Sequence, residues 1–123
     1  MTTFEEAQYI IDQLCHDLPQ GIFAELNCGV ATIPDTIYCS RGLLVLGMYH
    51  YEPYGLGRYV TIHYGSMLVA YGHLPPEAFK AELKRVLHHE LTHHIESLAG
   101  DKSLEHEDER NVAQMLGHLA QER

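Results

Sequence analysis

The stretch "LPPEAFKAELKRVLHHELTHHIESLAG", residues 74–100, decides how this chain is read. Pro75 and Pro76 suit the first turn of a helix, where a missing N–H costs little, and Glu77 suits the positive end of the helix dipole. Gly100 is a natural stop. Between them the apolar residues recur with helical period. At roughly 100° per residue, Phe79, Leu83, Val86, Leu87, Leu91 and Leu98 form one stripe. Glu90 falls inside that stripe. A helix with one wet face does not normally aim a glutamate at its core, so this residue asks for a reason.

The reason lies on either side of it. His89-Glu90-Leu91-Thr92-His93 is an H-E-x-x-H pattern. Histidines at i and i+4 stand one above the other, so both imidazoles can reach one tetrahedral cation while the glutamate sits beside them. The phase puts His89 and His93 on one flank of the stripe. His94 lies in the stripe and reads as a core histidine or as a support for the ligands. His88, on the far side, reads as solvent-facing.

A catalytic zinc usually has three protein ligands and a water. Position 99 is Ala99, so no histidine stands six residues after His93. The candidates are the acids after Gly100. In "LEHEDE", residues 104–109, Glu107 and Glu109 read as acidic residues of a helix's first turn. A last helix from about Ser103 to Gln121 has its stripe at Leu104, Val112, Met115, Leu116 and Leu119. Asp108 lies in the middle of that stripe, where a carboxylate needs a cation or hydrogen-bond donors. Asp108 therefore ranks first as third ligand, Glu105 at the stripe's edge second, and Asp101 third.

The rest of the chain supplies a scaffold. Phe4, Ala7, Ile10, Ile11, Leu14 and Leu18 repeat with helical period over residues 3–18. "LPQGIFAEL" restarts a helical pattern at Pro19, and "NCG" at 27–29 breaks it. "GVATIP" is a short strand. "GLLVLGMYHY" (42–51) and "RYVTIHY" (58–64), separated by a Pro- and Gly-bearing loop, read as a hairpin. "GSMLVAYGHL" is ambiguous between a strand and a helical turn. The order predicts a single α+β domain over residues 1–123, with a small, mostly antiparallel or mixed sheet.

Composition excludes several classes. The chain has 123 residues, 46% of them hydrophobic and 20% charged, enough for one modest core. Its net charge of −9 argues against a nucleic-acid backbone or an anionic membrane as partner. No apolar run approaches the roughly 20 residues that span a bilayer, and the N-terminus lacks the basic start and apolar centre of a signal peptide. The expectation is a soluble, cytoplasmic protein. Cys15, Cys28 and Cys39 are odd in number and lack C-x-x-C spacing, which suits free thiols in a reducing compartment.

"VLHHELTHHIESLAG" followed by "LEHEDE", with "GLGRYVTIHYGS" upstream, resembles the small single-domain zincin-like metallopeptidases of bacteria, over the chain from about residue 20 onward. The family motif is H-E-x-x-H-x-x-G-x-x-D, and here Glu96 and Ala99 occupy its Gly and Asp positions. The resemblance implies a minimal zincin-like fold: a small twisted sheet packed on an active-site helix, with a further helix behind. It also implies zinc held by His89 and His93, Glu90 as general base, and a peptide or protein substrate.

With Asp108 or Glu105 completing the shell, the expected activity is peptide-bond hydrolysis by a zinc-activated water. A strand edge within 58–64 could pair with an extended peptide. His63, Tyr64 and Tyr71 are candidate oxyanion donors. The alternatives are a non-catalytic metal-binding or protein-interaction module that keeps the same shell, and a purely structural histidine cluster.

Overall fold

The computed structural model describes residues 1–100 and 106–121, with side chains in the last segment from 113 to 120. Among the described residues the chain forms four α-helices and one three-stranded sheet, an α+β arrangement. Helix α1 (Phe4–His16) begins with a capping box. The Thr3 hydroxyl accepts from the Glu6 N–H at 3.1 Å, and the Glu6 carboxylate accepts from the Thr3 N–H at 3.0 Å. A 3-10 turn, Gln20–Phe23, follows and buries Ile22.

Strand β1 (Val30–Ile33) runs parallel to β3 (Gly57–His63), and β2 (Gly47–Glu52) runs antiparallel to it, giving the order β1-β3-β2. The hairpin is as expected, but β2 starts at Gly47 rather than at residue 42. Residues 43–46 form a wall beside the sheet instead, held by a bridge between Tyr38 and Leu44 and by hydrogen bonds to Ile37, Cys39 and His63. The ambiguous stretch after β3 is helix α2 (Tyr64–Tyr71).

Helix α3 (Pro76–Ala99) is the organising element, with Pro75 before it and Gly100 capping it. It packs on α1, on α2, on the sheet through β2 and β3, and on α4 (His106–Gln121). Phe79, Leu83, Val86, Leu87, Leu91 and Ile95 of α3 meet Val60 and Ile62 of β3, Ala7 and Ile11 of α1, and Leu119 of α4 in one buried core. Val60 and Ile62 alternate with Tyr59 and Thr61, so one sheet face is dry and the other carries polar groups. Among the described residues no helix is long and apolar enough to cross a membrane.

Candidate metal centre

His89 and His93 project from the exposed flank of α3. Their Nε2 atoms stand 3.1 Å apart, with the rings edge to face. At the Zn–N length of roughly 2.0–2.1 Å, that separation gives an N–Zn–N angle of about 100°, close to tetrahedral. Two imidazole nitrogens at this distance need either a shared proton or a cation, so the pair fits a metal on its donor chemistry. Glu96, one turn on, brings a carboxylate oxygen to 3.9 Å from His93 Nδ1, on the side of the ring away from Nε2.

Glu90 is 7% exposed, as its phase on the helix predicted. Burial raises its pKa above the ordinary carboxylate value, opposed by His93 and by the backbone N–H of Tyr49. It stands where β2 passes close against α3. That approach depends on Gly47: a Cβ there would lie 2.9 Å from Val86 Cγ1 and 3.2 Å from Glu90 Cγ. Side chains of neighbouring strand residues alternate between faces, and a glycine removes the one that would prop the strand off the helix.

Two hollows meet at this point. A shallow groove of about 720 Å³ is lined by Gly47, Met48, Tyr49, His89, Glu90, His93, Glu96 and Ser97. A second, of about 390 Å³, is walled by Leu43, Leu44, Val45, Leu46 and Val86, with Cys39 and Arg85 at its rim. They share Gly47, His89 and Glu90, so a single cleft crosses the H-E-x-x-H pair, with a polar arm and an apolar arm. Arg85 is engaged by Glu82 at 2.8 Å and by the Tyr71 hydroxyl at 2.9 Å, which leaves the apolar arm apolar in character.

The described residues contain no group of three His, Cys, Asp or Glu that could hold a metal ion. They supply the two histidines. Asp108, Glu105 and Asp101, the third-ligand candidates, lie outside the described residues or their described side chains, as do Glu107 and Glu109.

The other expectations fare unevenly. The edge within 58–64 is not available for pairing, because β3 is the central strand and bonds to β1 and β2 on both sides. The edge beside the site belongs to β2. His63 is 1% exposed on the polar sheet face, bonded to the Val45 carbonyl at 2.7 Å and to Thr61 Oγ1 at 2.8 Å. Tyr64 donates to the Thr2 carbonyl at 2.6 Å, and Tyr71 accepts from Arg85. None of these three lines the cleft.

His88 is not solvent-facing. It is 1% exposed, its Nδ1 3.3 Å from the Leu119 carbonyl, because α4 covers that side of α3. His94 is fully buried, as its place in the stripe implied. Gly47 and Tyr49 were missed by the sequence reading. Gly47 carried a signal, since a glycine inside a strand pattern marks close backbone approach.

The three cysteines are unpaired with one another. Burial pushes the Cys15 thiol up to about 12, whereas backbone N–H groups of Arg41 and Leu43 hold the exposed Cys39 thiol below its ordinary value.

Compared with family models, with curated proteins and with solved structures, the chain finds no match.

Proposed function

We propose that the chain is a zinc-dependent peptidase with a minimal zincin-like fold, cutting an extended peptide laid along the outer edge of β2, which has no partner strand among the described residues. The observation that carries this reading is the 3.1 Å approach of the His89 and His93 nitrogens with a buried glutamate between their helix and a strand edge. His89 and His93 would hold the ion, and Asp108, or else Glu105, would complete its shell. When bound, zinc lowers the pKa of a water and polarises the scissile carbonyl.

Glu90 takes a proton from the attacking water and passes it to the leaving amine. Burial raises its pKa, the direction that suits a group that must both take a proton and give one up. The edge of β2 holds the peptide by backbone pairing, which fixes the scissile bond beside Glu90 without reading sequence. In an antiparallel ladder alternate residues turn their backbone groups away from the partner strand. Leu46 turns its carbonyl to His63 of β3, so Gly47, Tyr49 and Tyr51 turn theirs away from β3, the first two of them beside the cleft. A peptide antiparallel to β2 then runs its C-terminal half over the apolar arm, where a large apolar side chain fits between Leu43, Leu46 and Val86.

Native mass spectrometry with added zinc tests the reading. It should show one ion per chain, lost in His89→Ala and in His93→Ala. Undiminished zinc in both variants would refute it.

A further inference from the structure

The wall of the apolar arm is not held in place by packing. None of residues 35–46 is buried, and Leu43 is 63% exposed. A segment with so few buried contacts is placed by its hydrogen bonds. Within it, the Val45 N–H donates to the Ile37 carbonyl and the Cys39 N–H to the Leu43 carbonyl, both at 2.8 Å. These bonds fold the segment on itself without fixing it to the sheet.

The ties to the body of the fold come from the junction of β3 and α2. The Ser66 hydroxyl, fully buried, accepts from the Ile37 N–H at 2.9 Å and donates to the Ile37 carbonyl at 3.3 Å. A Cβ at Gly65 would lie 2.7 Å from the Asp35 carbonyl oxygen, so the two backbones run in contact there. His63 grips the end nearest the cleft. Its N–H donates to the Leu46 carbonyl at 2.9 Å, and its Nδ1 lies 2.7 Å from the Val45 carbonyl. A carbonyl only accepts, so Nδ1 carries the proton and Nε2 is a bare acceptor. The Thr61 hydroxyl donates to Nε2 at 2.8 Å. With its one proton spent, Thr61 Oγ1 accepts from His50 Nε2 at 2.9 Å. The His50 ring lies flat on Tyr59, with centroids 4.2 Å apart. The His63 imidazole, 1% exposed, is thus fixed at both nitrogens, with its proton on the wall.

We propose that His63 determines specificity through the wall, as a positioning residue: its grip on the Val45 and Leu46 carbonyls keeps residues 43–46 where the apolar arm admits a large apolar side chain. The effect on cleavage rests on the peptidase reading; the grip itself does not. Two amide variants separate the grip from the filling of space. Asparagine puts an N–H donor where Nδ1 stands, and glutamine puts one where Nε2 stands, facing Thr61.

Hydrogen exchange followed by NMR reads the wall directly. The Val45 and Cys39 amides should be protected in the wild type and in His63→Asn. In His63→Gln they should exchange roughly tenfold faster, as a loosened segment does, with the amides of α3 unchanged. In hydrolysis, the ratio of kcat/KM for a peptide with leucine after the scissile bond to one with alanine there should fall roughly tenfold in His63→Gln, the scale of a lost apolar contact. The fall should lie in KM for the leucine peptide, and His63→Asn should restore the ratio. Should either variant fail to fold, the imidazole nitrogen shifts of the wild type decide: the His63 proton should sit on Nδ1.

A proton on Nε2 overturns the proposal, as do wall amides that exchange alike in His63→Asn and His63→Gln. Unchanged selectivity in an active His63→Gln whose wall has loosened overturns the specificity role. A wall that loosens in His63→Gln but not in His63→Asn, in a protein that cuts no peptide, supports the grip and counts against the peptidase reading alone.

Discussion

Replacing Gly47 by alanine puts the account of the cleft under direct mechanical stress. The added Cβ would lie 2.9 Å from Val86 Cγ1, 3.2 Å from Glu90 Cγ and 3.2 Å from the Thr61 carbonyl oxygen. Glu90 can swing away, but Val86 is β-branched within a helix and nearly confined to one rotamer, and the Thr61 carbonyl belongs to the sheet. The strand must therefore move off the helix by some tenths of an ångström. Overpacking of this kind costs about 1–3 kcal/mol. For a 123-residue chain each kcal/mol lowers Tm by roughly 3–5 °C, so thermal unfolding by circular dichroism should fall by roughly 3–15 °C. Gly21→Ala is the control, because nothing lies within 4 Å of a Cβ there. It should change stability by no more than about 0.5 kcal/mol. If Gly47→Ala melts with the wild type, β2 does not rest on Glu90 and Val86 as described.

Three further outcomes follow from the site. Asp108→Ala should weaken zinc affinity by roughly 10–100-fold or more, while Glu107→Ala and Glu109→Ala should not, read by competition with a chelating dye; a large loss in Glu105→Ala instead makes that residue the ligand. Brief alkylation with iodoacetamide at pH 7.5 should label Cys39 and spare the half-buried Cys15, whose thiol burial pushes up to about 12; equal labelling in peptide maps contradicts the shielding of Cys15. A peptide library should be cut preferentially where a large apolar residue follows the scissile bond, and Leu46→Ala should relax that preference.

Much of the central helix was legible in its letters. Pro75, Pro76 and Gly100 mark its ends, and a fixed angle per residue puts Glu90 in the buried stripe beside two aligned histidines. That reasoning is local and needs no partner. His88 was misjudged because burial on its side depends on α4, a second packing partner that a single stripe does not reveal. The pairing edge was assigned to 58–64 because alternation identifies a strand but not its neighbours; the order β1-β3-β2 is set by contacts distant in sequence. Residues 42–46 look like strand by composition, yet their branched side chains serve as the wall of the apolar arm. The stretch after β3 is apolar on all sides, so no period separates strand from helix there, and burial of Tyr64, Gly65, Ser66 and Met67 explains why.

The most direct test of the central claim compares the zinc-loaded wild type with Glu90→Gln. Glutamine keeps the size of the side chain, but it has no basic oxygen. Zinc content should stay at one per chain, the melting temperature should hold or rise, and hydrolysis of the peptide library should fall on the order of 10²–10⁴-fold, the effect of a lost acid–base group. Loss of zinc in Glu90→Gln would make the glutamate a ligand, and hydrolysis that continues at the wild-type rate with zinc bound would contradict its role as the base.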